Sequence, residues 1–146
     1  MSTATLPKRD WIRGITIRQP YAGCILAGAK TVENRPNRWR PGWVLLHTSK
    51  TMDQPALRIL LIGRTIRSRQ LVTGAVVGVA RITDCHQDPE GLPPCSEWAH
   101  LGAWHLVLAD VQELALLIPA RGQVVPWKPA PDLVEQVFQQ LPGFRP

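Results

Sequence analysis

Lys30, Glu33 and Arg35 are the residues whose types and spacing are best suited to chemistry. They end the stretch ITIRQPYAGCILAGAKTVENR. A lysine beside a carboxylate can lower the carboxylate pKa, hold a developing oxyanion or, when desolvated, act as a base. If an extended segment begins at Thr31, then Thr31, Glu33 and Arg35 share one of its faces. With Arg18 from the preceding segment nearby, the spacing predicts cations, a carboxylate and a hydroxyl around one concavity.

The same residues also fit a simpler interpretation, a ladder of surface ion pairs in which Glu33 pairs with Lys30 or Arg35. Exposed ion pairs are common in proteins and contribute little to stability. Spacing alone does not separate a ladder from a binding site, so both interpretations stay open at this point.

The elements around these residues are predicted to bring the two polar ends of the stretch together. GITIR alternates, with Ile15 and Ile17 on one face, which is typical of a half-buried strand. Pro20 suits the first turn of a helix over YAGCILAG, and Gly28 would end that helix in the left-handed conformation. KTVENR then returns to an extended pattern. The strand end and the helix exit are therefore expected to face the same cleft.

Downstream, the pattern predicts short strands in GWVLLHTSK, GAVVGVARITDC and AWHLVLADVQEL, with an edge strand in RGQVVPWKP. It predicts a main helix over DQPALRILLIGRTIRSRQ, one or two helical turns in CSEWAHLG, and a final helix, DLVEQVFQQL, capped by Asp132. Because strands and helices do not alternate regularly, we expect one α+β domain around a small bent sheet of about five strands. The domain is expected over residues 13–146, after a flexible N-terminal arm at residues 1–12.

The opening stretch closely resembles the signature of ASCH domains, a branch of the PUA-like superfamily. That signature is a strand ending in Arg-Gln-Pro-aromatic, a short helix, and Gly-x-Lys-x-x-Glu-x-Arg. The matching residues here are Arg18, Gln19, Pro20, Tyr21, Gly28, Lys30, Glu33 and Arg35. The likeness is specific over residues 15–50 and looser to about residue 128, and small single-domain members with an RQPYAG signature look most similar. It implies a PUA-like small bent β-barrel with flanking helices and a cleft beside the first helix.

For function, the resemblance implies binding of RNA or of a modified nucleotide in the cleft formed by the signature residues. Some family members resemble amidohydrolases that act on N4-acylated cytidine, which is the alternative function, and others have been linked to RNA cleavage, a less favoured alternative. In the amidohydrolase pattern a threonine follows the lysine by three residues, where this chain has Glu33. Lys30 and Glu33 would then be the catalytic pair, with Thr31 and Glu97 as weaker candidates.

Aromatic and basic residues extend the predicted binding surface. RPNRWRPGW interleaves arginines with Trp39 and Trp43, a mixture that single-stranded nucleic acid favours because it offers both stacking and phosphate contacts. Trp43 fits core packing better, whereas Trp39 fits stacking and packing about equally well. The residues assigned to ligand binding are Arg18, Gln19, Tyr21, Lys30, Glu33, Arg35, Arg38 and Trp39.

Charge is distributed unevenly along the chain. Residues 1–73 contain 13 Lys or Arg and three Asp or Glu, a net charge of +10, whereas residues 74–146 contain four and eight, a net charge of −4. Thirteen of the 17 cationic residues are arginine, whose planar guanidinium can bind phosphate bidentately and stack on bases. A polyanionic partner is therefore expected, although a solvated basic face would have the same composition.

Cysteine and histidine usage predicts neither a disulfide framework nor a metal site. The three cysteines are an odd, sparse set, and the ligand-type residues of DCHQDPEGLPPCSEWAHLGAWH lack the usual zinc spacings. No cofactor is expected, and His47 is interpreted as a hydrogen-bonded structural residue. With no recognisable signal peptide and no apolar run long enough to cross a bilayer, we expect a cytoplasmic monomer without membrane contact.

Overall fold

The computed structural model describes residues 12–144 and 146. Most of the predicted arm, residues 1–11, lies outside the described residues, while Ile12 is buried. The helices and strands are β1 (Arg13–Gln19), α1 (Tyr21–Leu26), β2 (Val32–Arg35), β3 (Gly42–Met52), a 3-10 helix (Gln54–Arg58), α2 (Leu60–Thr65), β4 (Ala75–His86), β5 (Trp104–Pro119) and α3 (Pro131–Gln140).

The five strands form one mixed sheet in the order β1-β3-β4-β5-β2. β1 pairs with β3 in parallel, and the other three pairings are antiparallel. The register of the β4–β5 pair shifts at three places, as happens where extra residues bend a sheet. The sheet curls into a half-barrel with three flanking helices, so the predicted α+β fold with a PUA-like, bent five-stranded sheet is confirmed.

Neighbouring residues of a strand point to opposite faces of the sheet, and in this sheet each face is buried in an apolar cluster. Ile15 and Ile17 share one face, as predicted, and pack in the cluster that contains α1 residue Ile25. Leu45 points the other way, into a second cluster that contains Val137 of α3. The apolar stripe of the final helix therefore packs against its own domain.

The polar ends of β1 and β2 meet because α1 is short. Its end is set by Gly28, which takes the left-handed conformation at φ 83°, as predicted, with nothing near where a Cβ would lie. The amides of Ala29 and Lys30 both donate to the Cys24 carbonyl and close the turn. Cys24 itself is fully buried among apolar residues, which raises the pKa of its thiol. The chain thus leaves α1 within one turn and enters β2, which lies at the opposite edge of the sheet from β1 and contacts it through the bond from Arg35 Nη2 to the Thr16 carbonyl oxygen.

Three predicted elements differ from the structure. The expected main helix is divided, because Ile59 is extended between the 3-10 helix and α2, and the apolar residue Leu60 that follows is exposed. The segment CSEWAHLG forms turns rather than a helix, and RGQVVPWKP contributes a single bridge, between Gly14 and Trp127, instead of an edge strand. Asp132 lies in the first turn of α3, whose N-cap is Ala130 without a side-chain cap.

His47 is buried in β3 and is held by hydrogen bonds at both ring nitrogens. Nδ1 lies 3.1 Å from Thr16 Oγ1, and Nε2 lies 2.7 Å from the Ala120 carbonyl oxygen. Burial lowers the pKa of His47, which disfavours the charged form of the ring. These contacts are those of the structural histidine predicted from the sequence. None of the helices in the described part of the chain is long and apolar enough to cross a membrane.

Candidate functional site

A cleft of about 560 Å³ opens beside α1. Its walls are the ends of β1 and β3, the starts of α1 and α2, the strand β2 and the segment that connects β4 to β5. This volume lies within the range of small-molecule sites in proteins, about 300–1,000 Å³. The residues predicted from the sequence that line this cleft are Arg18, Tyr21, Lys30, Glu33, Arg35 and Glu97.

The floor of the cleft holds three charged side chains in contact, here called the cleft network: Lys30, Glu33 and Arg35. Lys30 Nζ lies 3.5 Å from Glu33 Oε1, and Arg35 Nη2 lies 3.4 Å from Glu33 Oε2. The exposed fractions of these side chains are only 2%, 11% and 12%. Buried charges of this kind require partners, so one carboxylate compensates two cations from opposite sides.

Lys30 is enclosed by backbone and aromatic groups as well as by the carboxylate. Its ammonium donates a hydrogen bond to the Val32 carbonyl oxygen. Nζ also lies 5.8 Å from the ring centre of Tyr21 and 5.5 Å from that of Trp98, within the range of cation–π attraction. The ammonium is therefore already bound on several sides, and little of it faces the cleft.

Arg35 connects three separate parts of the chain. Nη2 donates to the Thr16 carbonyl oxygen at 2.7 Å, and Nη1 donates to the Val124 carbonyl oxygen at 3.3 Å. The guanidinium carbon lies 5.4 Å from the centre of the Trp39 ring. A planar, multiply donating group suits this position, where the guanidinium holds β1, β2 and the segment after β5 together.

The rim of the cleft differs from its floor because the cation at the rim is not bound by another side chain of the described residues. Arg18, at the end of β1, is exposed, and its side chain forms no hydrogen bond or ion pair with any described residue. Beside it, the Tyr21 hydroxyl donates to Asp53 Oδ2 at 2.8 Å. Burial, followed by this hydrogen bond and the Asp53 charge, raises the pKa of Tyr21 to about 12. The rim thus offers one available cation and one neutral phenol ring.

Asn34 attaches the β4–β5 connection to the cleft. Its side-chain amide donates to the Trp98 carbonyl oxygen at 2.8 Å, and its Oδ1 accepts from the His100 backbone amide at 2.8 Å. Trp98 and His100 line the cleft as a result, with Glu97 next to them. Sequence reasoning did not assign Asn34, Trp98 or His100 to the site, because they depend on a clamp between segments far apart in sequence. The indole nitrogen of Trp98 is buried without a hydrogen-bond partner in the described residues.

Four predicted residues do not line the cleft. Gln19 is buried, where Oε1 accepts from the Gly23 amide at 2.8 Å and Nε2 donates to the Val72 carbonyl at 2.9 Å. Trp39 is only 4% exposed and packs in the core, so its ring has no open face for a base. Thr31 and Arg38 are exposed on the surface outside the cleft.

Outside the cleft, the structure brings together four side chains with metal-ligand chemistry: His86, Asp88, Cys95 and His105. One donor atom from each lies within 4.8 Å of all the others. No metal site was predicted, because these residues do not follow a common zinc spacing. Their grouping depends on the pairing of β4 with β5, which places His86 opposite His105.

Comparison with known proteins agrees with this fold. A search of curated proteins found no match. The family model of the ASCH domain matches residues 15–116, which include most of β1, all of β2 to β4, most of β5 and all the described cleft residues except Val124. The match covers more than half of the chain and includes the Arg-Gln-Pro-aromatic signature. This chain therefore belongs to the ASCH family, a family linked to RNA binding.

Proposed function

We propose that the cleft beside α1 binds RNA or a modified nucleoside or nucleotide, with Arg18 as the principal cation that contacts the ligand. The observation that carries this proposal is the contrast between rim and floor. Lys30 and Arg35 are bound to backbone carbonyls and to Glu33, whereas Arg18 is exposed and unpaired among the described residues. An unpaired arginine at the mouth of a concave site can donate to a phosphate without breaking an existing contact.

The remaining groups of the cleft suit a nucleoside. The half-buried ring of Tyr21 presents aromatic surface, and the cleft lining also includes the hydroxyl side chains Ser49 and Thr51. Aromatic rings stack on bases, while hydroxyl groups exchange hydrogen bonds with sugars and base edges. Membership of the ASCH family supports the same class of ligand.

The binding test compares wild type with Arg18→Ala, using a fluorescent single-stranded RNA and separate titrations of cytidine, N4-acetylcytidine and cytidine monophosphate. Loss of a charged hydrogen bond of about 1.5–3 kcal/mol would weaken binding of the phosphate-bearing probes by about 10- to 150-fold. The melting temperature should not change, since Arg18 has no partner to lose among the described residues.

Arg67→Ala is the matched control, because Arg67 is an exposed arginine outside the cleft. Equal losses in the two variants would mean that RNA is attracted by the whole basic half of the chain, and the cleft proposal would be wrong. Wild-type affinity for RNA should fall with added salt. The slope of log affinity against log salt concentration should be proportional to the number of phosphates contacted.

A second candidate function is hydrolysis of an N4-acylated cytidine or a related modified nucleoside in the same cleft. It is favoured by Glu97, an exposed carboxylate that lines the cleft together with the Lys30–Glu33 pair. Glu97 would activate the attacking water as a general base. Lys30 is the weaker part of this proposal, because its ammonium is bound to Val32 and Glu33 and is 2% exposed.

Release of cytidine from N4-acetylcytidine, followed by ultraviolet absorbance, tests the enzyme candidate. Turnover that disappears in Glu97→Gln but persists in Glu90→Gln, an exposed carboxylate outside the cleft, would support hydrolysis. If nucleosides bind but no turnover occurs with several acyl groups at high protein concentration, the hydrolysis candidate is rejected and only the binding function remains.

A further inference from the structure

We propose that His86, Asp88, Cys95 and His105 form a zinc site that holds the connection between β4 and β5. His86 ends β4, His105 is the second residue of β5, and the two residues are paired across the ladder. Asp88 and Cys95 come from the segment that joins the two strands. This inference is independent of the ligand proposed for the cleft.

The distances between the four side chains suit a single small ion. His86 Nε2 lies 3.0 Å from Asp88 Oδ1, His105 Nδ1 lies 3.3 Å from Asp88 Oδ2, and Cys95 Sγ lies 3.8 Å from His105 Nδ1. Ligands at tetrahedral zinc, with bonds of about 2.0–2.3 Å, are separated from one another by about 3.3–3.8 Å. Small rotations of the side chains would therefore complete the coordination.

The buried ring of His105 is oriented as a metal ligand. Its Nε2 lies 2.7 Å from the His100 carbonyl oxygen, which can only accept, so Nε2 carries the proton. In the neutral ring Nδ1 then presents a lone pair to a carboxylate and to a sulfur, and His105 is only 1% exposed. Lone pairs converging in this way repel each other unless a proton or a cation lies between them, and a metal ion satisfies all of them together.

The other ligands are also held by outer contacts. Asp84 Oδ2 lies 2.6 Å from His86 Nδ1, which leaves Nε2 of that ring directed towards Asp88. This is the carboxylate–histidine arrangement common around protein-bound zinc. Asp88 Oδ2 accepts from the Cys95 backbone amide at 2.8 Å, which fixes the two loop residues relative to each other. Cys95 is exposed and provides the route by which an ion enters.

The donor set favours zinc over the hard cations. Calcium and magnesium prefer oxygen ligands, whereas a thiolate with two imidazoles and one carboxylate suits zinc. Four protein ligands fill a tetrahedral site and leave no open position, which is typical of structural rather than catalytic zinc. Binding requires the Cys95 thiol to lose its proton to solvent, so affinity should increase with pH.

The site would stabilise one wall of the cleft. The His105 ring is hydrogen-bonded to the His100 carbonyl oxygen, and the His100 backbone amide donates to the Asn34 side chain in β2. Asn34 also holds the Trp98 carbonyl, so the zinc ligands and the cleft wall share one chain of hydrogen bonds. An ion at this position would order the segment that carries Glu97 and Trp98.

The test uses the full chain, stripped with a chelator and then titrated with Zn²⁺ or Co²⁺ in competition with a chromogenic chelator. We expect one Zn²⁺ per chain by elemental analysis and a higher melting temperature with zinc. Co²⁺ should give the visible bands of tetrahedral cobalt and a thiolate-to-cobalt charge-transfer band in the near ultraviolet.

Three variants separate the proposed ligands from ordinary surface residues. Cys95→Ser should remove the charge-transfer band while Cys24 and Cys85 remain. Asp84→Asn, which changes an outer contact only, should weaken zinc binding by about 10- to 100-fold. Glu90→Gln, an exposed carboxylate of the same segment, should bind as wild type.

Wild-type zinc affinity no greater than that of Cys95→Ser, with both proteins folded by circular dichroism, would overturn the proposal. A cobalt complex of wild type without the charge-transfer band would overturn it equally and does not depend on any variant. In either case the four side chains would be a hydrogen-bond cluster only.

Discussion

The cleft network and the Arg81–Asp110 pair use the same chemical groups in opposite environments. Arg81 Nη2 lies 2.7 Å from Asp110 Oδ2, a shorter contact than either ion pair of the cleft network. Yet 44% and 52% of these two side chains are exposed, against 2–12% in the cleft network. Distance alone would therefore rank the surface pair as the stronger interaction, whereas burial makes the loss of one partner more costly in the cleft network.

The difference shows what each group of charges can do. In solvent, a broken ion pair is replaced by water at little cost. In the cleft floor, loss of one partner leaves a charge that water reaches poorly, so each member is required by the others. The same arrangement keeps Lys30 and Arg35 from being free ligand contacts, and for this reason the binding proposal depends on Arg18.

Removal of the central carboxylate should give the largest effect. Glu33→Ala leaves two buried cations without a carboxylate partner, and we expect a loss of about 3–5 kcal/mol in the free energy of unfolding. Urea unfolding followed by tryptophan fluorescence measures it. Glu113→Ala, which breaks the half-exposed pair with Arg69, is the control and should cost less than about 1 kcal/mol. Similar losses in both variants would remove the distinction between buried and exposed pairs.

Arg35→Lys tests whether the cleft network needs the shape of the guanidinium as well as its charge. Lysine keeps the charge but cannot reach both the Thr16 and Val124 carbonyls. We expect a loss of about 1–3 kcal/mol in unfolding free energy, from carbonyls left without donors. Arg81→Lys should change stability by less than about 0.5 kcal/mol, since water replaces what its side chain loses. No loss in Arg35→Lys would mean that charge alone holds the floor.

The local elements around the cleft were predictable because each depends on short-range rules. The alternation of apolar residues predicted β1, and Gly28 predicted the end of α1. The placement of Lys30, Glu33 and Arg18 around one cleft followed from the residue spacing and from the signature. The division of the main helix was not predictable in this way. The apolar spacing continues through Ile59, and only its extended conformation in the folded protein shows the break.

The site residues missed from the sequence all depend on contacts between distant segments. Trp98 reaches the cleft through its carbonyl bond to Asn34, which lies 64 residues earlier in the chain. The sequence left stacking and packing equally open for Trp39, and in the structure its ring is covered by its neighbour Arg35 and by the distant Arg13. Local composition could not show that the faces of the Trp39 ring were already occupied, because one of the two arginines comes from a distant strand.

Tyr21 provides a spectroscopic test of how well the cleft excludes solvent, because it is the only tyrosine in the chain. Its pKa of about 12 predicts that phenolate absorbance appears well above the ordinary value of about 10. Asp53→Asn should lower the Tyr21 titration midpoint without returning it to the ordinary value, since burial contributes more to the shift than Asp53 does. A midpoint near 10 in the folded wild type would show an open, hydrated rim.

The same shift makes stability depend on pH in the alkaline range. The folded protein holds the Tyr21 proton more tightly than the unfolded chain, so the stabilisation is complete below pH 10 and is lost as pH rises towards 12. Other groups titrate in this range, so Tyr21→Phe is the control that removes only the tyrosine contribution. The difference between the two stability profiles should therefore appear between pH 10 and 12 and be flat below pH 10.

The smallest effect is expected from the surface pair that opened the comparison. Asp110 has φ 54°, a left-handed conformation that asparagine tolerates better than alanine, so Asp110→Asn removes the charge with little backbone strain. A double-mutant cycle with Arg81→Gln should give a coupling energy of about 0.2–1 kcal/mol, decreasing with added salt. Because the contact is short and Arg81 Nε also donates to the same carboxylate oxygen at 2.8 Å, geometry favours this pair as much as any exposed pair. A coupling energy above about 2 kcal/mol would therefore show that contact geometry, rather than burial, decides which charges this fold depends on.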